Sequence, residues 1–319
     1  PSFENNAVGI FAIENWQHKR WELEAGFRYD VKQLSVYQSE KTFDNQNVLV
    51  KTSHPFEQAT ASLGANYTVD TTWKVLLNLG TAWRAPSVNE LYSNGLHHGA
   101  AAVEYGNAAL KVEQAYVATL TGMYTPNEEL HIEVSPYYNF IQGFIYRQST
   151  PTPVLTIRGA FPGFNYTQTD AILRGIDVYT AYHFTHWLEW KVKGSILRAW
   201  NKSADNWLIQ MPADRVETEF GFHWDRNQRL KHIYVGPSIQ YVAKQTRVPA
   251  GSDFVDPPSA YWLVNLNVAT HFRMGKKHAE IGLNVSNLMN TRYRDYMDRF
   301  RYFTDAMGRN VSLRLKYRF

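Results

Sequence analysis

Two adjacent imidazoles, His97 and His98, are the residues of this chain best suited to chemistry on a bound species. Both fall in a long polar segment, and a neutral imidazole is a ready ligand for a transition metal or for haem iron. Simple solvation in an exposed loop is the commoner fate of such a pair. The other histidines are dispersed over the chain, and no H-E-x-x-H, G-x-S-x-G, phosphate-binding glycine loop or dinucleotide fingerprint occurs. The sequence contains no Cys, which removes disulfides, thiolate metal sites and Cys nucleophiles together. No catalytic residue, metal site or resident cofactor is therefore expected, and an enzyme is the least supported function.

A second group is cationic and aromatic. Arg147, Arg158, Trp200, Trp207, Arg247 and Phe254 all fall in or beside long polar segments. Guanidinium groups and aromatic faces suit an aryl, anionic iron chelate through stacking and charge-assisted hydrogen bonds, and they suit glycans or lipopolysaccharide equally well. A third group comprises Arg84, Pro86, Glu90, Glu104, Asn107 and Glu113. Pro86 lacks a ladder donor, so Arg84 stands where a strand gives way to a loop, and the expected task of these charges is to tie that junction together by ion pairs.

The elements that must position these residues are strands. From Gly308 to Phe319 the chain reads G-R-N-V-S-L-R-L-K-Y-R-F, with Val311, Leu313, Leu315, Tyr317 and Phe319 on one face and Asn310, Ser312, Arg314, Lys316 and Arg318 on the other. The same two-faced pattern recurs. Trp21, Leu23, Ala25, Phe27 and Tyr29 oppose Glu22, Glu24, Arg28 and Asp30, and Val216, Phe220, Phe222 and Trp224 oppose Glu217, Glu219 and His223. Paired segments are expected at 7–15 with 20–34 and at 56–69 with 73–85, separated by a polar loop over 35–55. Long connections recur near 86–108, 147–165, 201–212, 245–258 and 290–307. Brief turns fall at Gln17 and His18, Val69 to Thr72, Pro126 and Asn127, Thr185 and His186, Asn227 and Gln228, and Gly275 to Lys277. About thirteen strands result, several longer than the roughly 9–11 residues that cross a bilayer at a tilt.

Composition agrees. Aromatic residues make up 15% of the 319 residues, with 10 Trp, 20 Tyr and 17 Phe, rings that suit a boundary between lipid and water. Mean hydropathy is −0.42, and no apolar run reaches the roughly 18 residues of a membrane helix, which leaves a barrel with half-apolar strands. A soluble sandwich or propeller would show shorter strands or a blade repeat. The net charge of +4 is small and its basic residues are scattered, which argues against nucleic acid as a partner. Lys191, Lys193, Arg314, Lys316 and Arg318 would cost about 2–4 kcal/mol each facing lipid at the midplane, so they are expected to face the lumen.

Residues 82–121 resemble the barrel domain of TonB-dependent outer-membrane receptors. The matching pieces are Arg84-Ala85-Pro86-Ser87 with Glu90-Leu91-Tyr92, then Glu104, Gly106-Asn107, Leu110 and Glu113. Arg158 to Gly175 is similar to a strand start in receptors of Bacteroidetes type, and Asn284 to Phe319 is similar to the family's C-terminal end. The resemblance implies an all-β, antiparallel transmembrane barrel of twenty-two strands, of which residues 1–319 supply roughly the last thirteen as one domain. The plug domain and early strands would lie elsewhere in a longer receptor, an expectation that the odd strand count and the start at Pro1 support. It further implies residence in the outer membrane of a Gram-negative bacterium, contact with its lipid and lipopolysaccharide, and coupling to the TonB complex through the missing N-terminal part. The expected activity is uptake of a scarce ligand, foremost a ferric siderophore, through His97, His98, Arg147, Arg158, Trp207 and Arg247. A haem receptor is the alternative, since such members carry a loop His after an R-A-P box, although residues 107–110 lack the Pro of the haem box. A passive or structural barrel is the other alternative. Phe319 is expected to direct assembly of the closing strand.

Overall fold

The computed structural model describes residues 2–41, 47–225, 230–274 and 277–318. In chain order the strands are β1 (Ser2–His18), β2 (Trp21–Lys41), β3 (Asn47–Thr68), β4 (Trp73–Arg84), β5 (Asn94–His97), β6 (Ala102–Tyr105), β7 (Glu113–Tyr124), β8 (Leu130–Ser149) and β9 (Val154–Thr156). They continue as β10 (Gly159–Phe161), β11 (Gly163–Thr185), β12 (Leu188–Asn201), β13 (Asn206–Trp207), β14 (Arg215–Trp224), β15 (Leu230–Val242), β16 (Tyr261–Met274), β17 (Lys277–Ser286) and β18 (Asn310–Arg318). A short helix, α1 (Val88–Tyr92), lies between β4 and β5. Among the described residues no helix is long and apolar enough to cross a membrane.

Thirteen long strands form one antiparallel wall in the order β1-β2-β3-β4-β7-β8-β11-β12-β14-β15-β16-β17-β18. This is the strand number expected from alternation. The wall is open: β1 and β18 are its edges and do not pair with each other among the described residues.

Register and side-chain parity define two faces. Outward positions carry large apolar groups in the open, among them Phe27 at 55%, Leu120 at 47% and Leu313 at 75% exposure, which is the surface of a wall made for lipid. Lumen positions carry many of the charges, and several of these are paired. Lys191 reaches Glu189 and Glu219, and Arg314 reaches Glu280 at 2.8 Å. Two aromatic bands bound the apolar zone. At the short-turn end Trp21 meets Tyr67 and Trp73 meets Tyr124, each pair 4.4 Å between centroids. At the long-loop end Tyr116 meets Phe140 at 6.1 Å and Tyr241 meets Trp262 at 4.5 Å.

Short turns are closed by local side chains. The Asp70 carboxylate accepts from the N–H groups of Thr72 and Trp73, and Asn127 Oδ1 accepts from Glu129 and Leu130. The first turn lies at Lys19 and Arg20 rather than at Gln17 and His18, with Lys19 in the left-handed region at φ 53°. The turns placed at Asn227 and Gln228 and at Gly275 and Lys276 lie outside the described residues, as does Phe319.

The polar stretch 35–55 is not a loop. β2 and β3 stay paired from Ser35↔Ser53 out to Lys41↔Asn47, a ladder projecting beyond the lipid zone. There the outer face meets water, apolar alternation is no longer required, and the pattern that marks a membrane strand vanishes while the backbone ladder persists.

Candidate ligand site at the long-loop mouth

The connection from β4 to β7 folds back over the mouth because its ends are clamped. Arg84 Nε donates to Glu113 Oε2 at 2.6 Å and Nη2 donates to Oε1 at 2.8 Å, across the register pair that joins the two strands. The same guanidinium reaches Glu90 at 2.8 and 3.0 Å. Glu90 completes a capping box on α1: its carboxylate accepts from the Ser87 N–H, while the Ser87 hydroxyl accepts from the Glu90 N–H. Burial alone would push the Glu90 carboxyl up, but the bonds from Arg84 and the Ser87 N–H outweigh it and hold its pKa below the ordinary value. Pro86 is fully buried at this bend. Val88, Leu91 and Leu110 then pack on Leu34, Val36 and Ile145 of the wall. Asn107 Oδ1 accepts from the Ala109 N–H at 2.9 Å, and its own N–H donates to the Glu90 carbonyl.

Through Ala100 and Ala102 the same connection lines a cavity of about 160 Å³, together with Arg147, Phe164, Tyr296, Arg299, Arg301 and Tyr302. Arg147 donates to Glu104 and to Gln210, both at 3.1 Å, and lies 5.1 Å from the Phe164 ring centroid. Arg301 is only 2% exposed. Its guanidinium packs 4.6 Å from the Tyr296 ring and 4.5 Å from the Tyr302 ring, and its Nη2 donates to Asp253. Nη1 of Arg301 has no hydrogen-bond partner among the described residues. Burial, with Asp253 adding to it, holds the Tyr302 phenol above its ordinary pKa, so the hydroxyl stays protonated and donates to Asp253 at 2.8 Å. A buried cation with a spare donor, flanked by aromatic faces, is equipped to take an anionic group.

The other residues singled out in the sequence are spread more widely. Arg158 Nη1 lies 3.3 Å from His98 Nδ1, so these two meet. His97 precedes a single 3-10 turn and makes no side-chain cap, and no metal-holding group of three His or acidic side chains exists among the described residues. Trp207 packs edge-on against Trp200 at 5.0 Å, on the outward parity of β12. Arg247 binds Asp214 at 2.9 Å. Neither lines the cavity.

A family model described as TonB dependent receptor-like, beta-barrel matches residues 1–288. The chain belongs to the TonB-dependent receptor barrel family. Its members are outer-membrane proteins of Gram-negative bacteria and act as receptors and transporters rather than enzymes. Among solved structures, the receptor barrel is similar to the copper transporter OprC at 18% identity and TM-score 0.77, covering 99% of this chain and 48% of that one. It is similar to the ferric-catecholate import receptor Fiu of E. coli K12 at 15% identity and TM-score 0.64, covering 98% and 44%. A Serratia marcescens hemophore receptor, HasR, solved as a double mutant with its hemophore and heme, aligns at 15% identity and TM-score 0.65, covering 99% and 51%. The chain thus spans about half the length of these proteins. No curated sequence matches it.

Residues of the receptor barrel that sequence reasoning passed over are Asp253, Tyr296, Arg301 and Tyr302. Their contacts span 48 and 49 residues, so no local pattern announces them. The only available signal was the density of aromatic and basic residues in Y-M-D-R-F-R-Y-F at 296–303.

Proposed function

We propose that this barrel belongs to an energised uptake receptor whose long-loop mouth captures a small anionic metal chelate, with a ferric siderophore as the leading cargo. The observation that carries this reading is Arg301, buried yet retaining an unpartnered Nη1 where it lines a cavity shared with Arg147. Oxygen-rich iron chelates carry negative charge and often aryl rings, the two features that guanidinium and tyrosine faces recognise. Transport would require the plug domain that fills such a lumen and the TonB complex that works on it, together with the strands that close the wall. The solved structures that the chain resembles are named for copper, ferric catecholate and haem, so the cargo is to be separated by experiment. Haem would be expected to depend on His97 or His98.

The test is titration of the full-length receptor with a ferric catecholate chelate and, separately, with haem. Arg301→Ala is expected to weaken chelate binding by about ten- to a hundredfold, the worth of one or two charge-assisted bonds. Chelate affinity unchanged in that variant, or haem binding lost on replacing His97 and His98, would overturn the reading.

A further inference from the structure

A second cavity opens where two strands of the wall separate. β3 pairs with β4 only from Thr68↔Lys74 up to Ser62↔Gly80, whereas β4 stays on β7 as far as Arg84↔Glu113. Above Gly80 the two strands part, and the Thr81 hydroxyl replaces the ladder by accepting from the Ala61 N–H at 2.9 Å. A cavity of about 550 Å³ lies at this parting, with Gln58 and Thr81 among its walls, and small-ligand sites span about 300–1,000 Å³. It shares no lining residue with the cavity at Arg301.

One side of this cavity is rigidly built. β8 and β11 shift register between Thr169 and Ala171, leaving Asp170 and the Gln142-Gly143 pair outside the regular ladder, and such bulges re-aim side chains. Gln168 Oε1 accepts from the Lys111 N–H at 2.7 Å, and its Nε2 donates to the Lys111 and Gly143 carbonyls, both at 2.8 Å. Asp170 Oδ1 accepts from the Gly143 N–H at 3.0 Å, and Gly143 holds the left-handed φ of 67° that this bend requires. The other amides are uncommitted. Gln58, Gln114 and Gln142 line the cavity, and their side chains make no hydrogen bond among the described residues. Gln114 Oε1 is moreover buried without a partner, a state that native proteins rarely leave unfilled. Gln114 and Gln142 stand opposite each other in register, on the outward pair next above Tyr116 and Phe140. The cavity therefore opens beyond the aromatic band at the long-loop end, the extracellular side of such a barrel, and fills from water rather than from the acyl layer.

We propose that this cavity binds a neutral saccharide that reaches the receptor from solution. Sugar hydroxyls each donate and accept, and a primary amide offers two donors beside one acceptor oxygen, so free glutamines suit neighbouring hydroxyl groups on one ring. A sugar hydroxyl supplies the donor that Gln114 Oε1 lacks. The exposed Tyr116 ring on the cavity wall offers an apolar face to the C–H side of a pyranose. Lys111 and Asp170 bring one charge of each sign, which leaves no net charge to select an ion.

Saturation-transfer NMR on the full-length receptor in phosphatidylcholine nanodiscs tests this with maltose, lactose and a mannobiose, which present gluco, galacto and manno hydroxyl patterns. At least one disaccharide is expected to receive signal from the protein, with affinity about tenfold lower in Gln114→Leu, while ferric-catecholate affinity stays unchanged. Arg301→Ala is expected to bind the sugar normally, which separates this site from the cargo reading. No transfer to any of the three, or equal affinity in Gln114→Leu and unaltered protein, would overturn the proposal. So would binding of these sugars only as head groups of a neutral glycolipid in the nanodisc, which assigns the amides to the outer leaflet. Heat-modifiable migration checks that Gln114→Leu is folded; if it is not, Gln58→Leu, on another strand, decides by the same criteria.

Discussion

Arg84 and Glu113 end neighbouring strands face to face, and the guanidinium of one binds both oxygens of the other's carboxylate. The pair is asymmetric: the Arg84 side chain is 43% exposed and that of Glu113 only 11%. Glu113 also accepts from the Ile145 N–H, so one carboxylate fastens β7, β8 and the start of the loop over the mouth.

Removing Arg84 leaves that carboxylate short of a partner, a loss of about 1–3 kcal/mol. Arg84→Ala is expected to raise amide hydrogen exchange across residues 85–112 by roughly five- to a hundredfold while exchange in the centres of β4 and β7 stays slow. Unchanged loop protection would show that packing of Val88, Leu91 and Leu110 suffices without the clamp.

Acid should loosen the same loop through Glu90. Its folded pKa lies below the ordinary 4.5, so its contribution is fully present above that value and is lost as pH falls through the folded pKa. Protection of residues 87–92, corrected for intrinsic exchange, is therefore expected to be flat from pH 7 to about 5 and to decline further down. Glu90→Gln should remove most of that decline and lower protection at neutral pH.

Gly106 meets the backbone of α1 so closely that an added Cβ would lie 2.5 Å from the Tyr92 nitrogen and 2.6 Å from the Leu91 carbonyl carbon. Backbone cannot swing aside as a long side chain can. Gly106→Ala is expected to cost about 1–3 kcal/mol, seen as faster proteolysis within the loop, with the heat-modifiable migration of the barrel retained. Proteolysis at the original rate would mean that the Gly106 turn shifts freely.

The wall was legible because lipid forces a period of two on every outward residue, and Val216, Phe220 and Trp224 announce their strand without help. Residues 35–55 escaped because that constraint ends with the membrane, although Leu34↔His54 and Val36↔Thr52 remain in register. The clamp was legible for a different reason: Arg84, Glu90 and Glu113 flank a proline at a strand end. Trp207 and Arg247 were grouped with the mouth by segment alone, whereas the outward parity of Trp200 already puts its partner Trp207 on the lipid side. Arg301 and Asp253 meet only in three dimensions, and their sequence neighbours do not indicate it.

The two faces of β7 provide the sharpest test of the membrane reading. Leu120 points outward at 47% exposure and stands opposite Leu77, whereas Thr119 and Thr121 point into the lumen, where Thr121 shares a hydrogen bond with Ser135 at 2.9 Å. If lipid is the outer solvent, Leu120→Arg must place a charge in hydrocarbon near the middle of the band, at a cost of about 2–4 kcal/mol. Thr119→Arg keeps its charge among water and lumen side chains and should cost less than about 1 kcal/mol by comparison with surface substitutions. Reversible urea unfolding of the full-length receptor in phospholipid vesicles would measure both. Were the two variants equally stable, or Thr119→Arg the weaker, the outward face of β7 would be turned toward protein or water, and the assignment of the two faces would have to be exchanged.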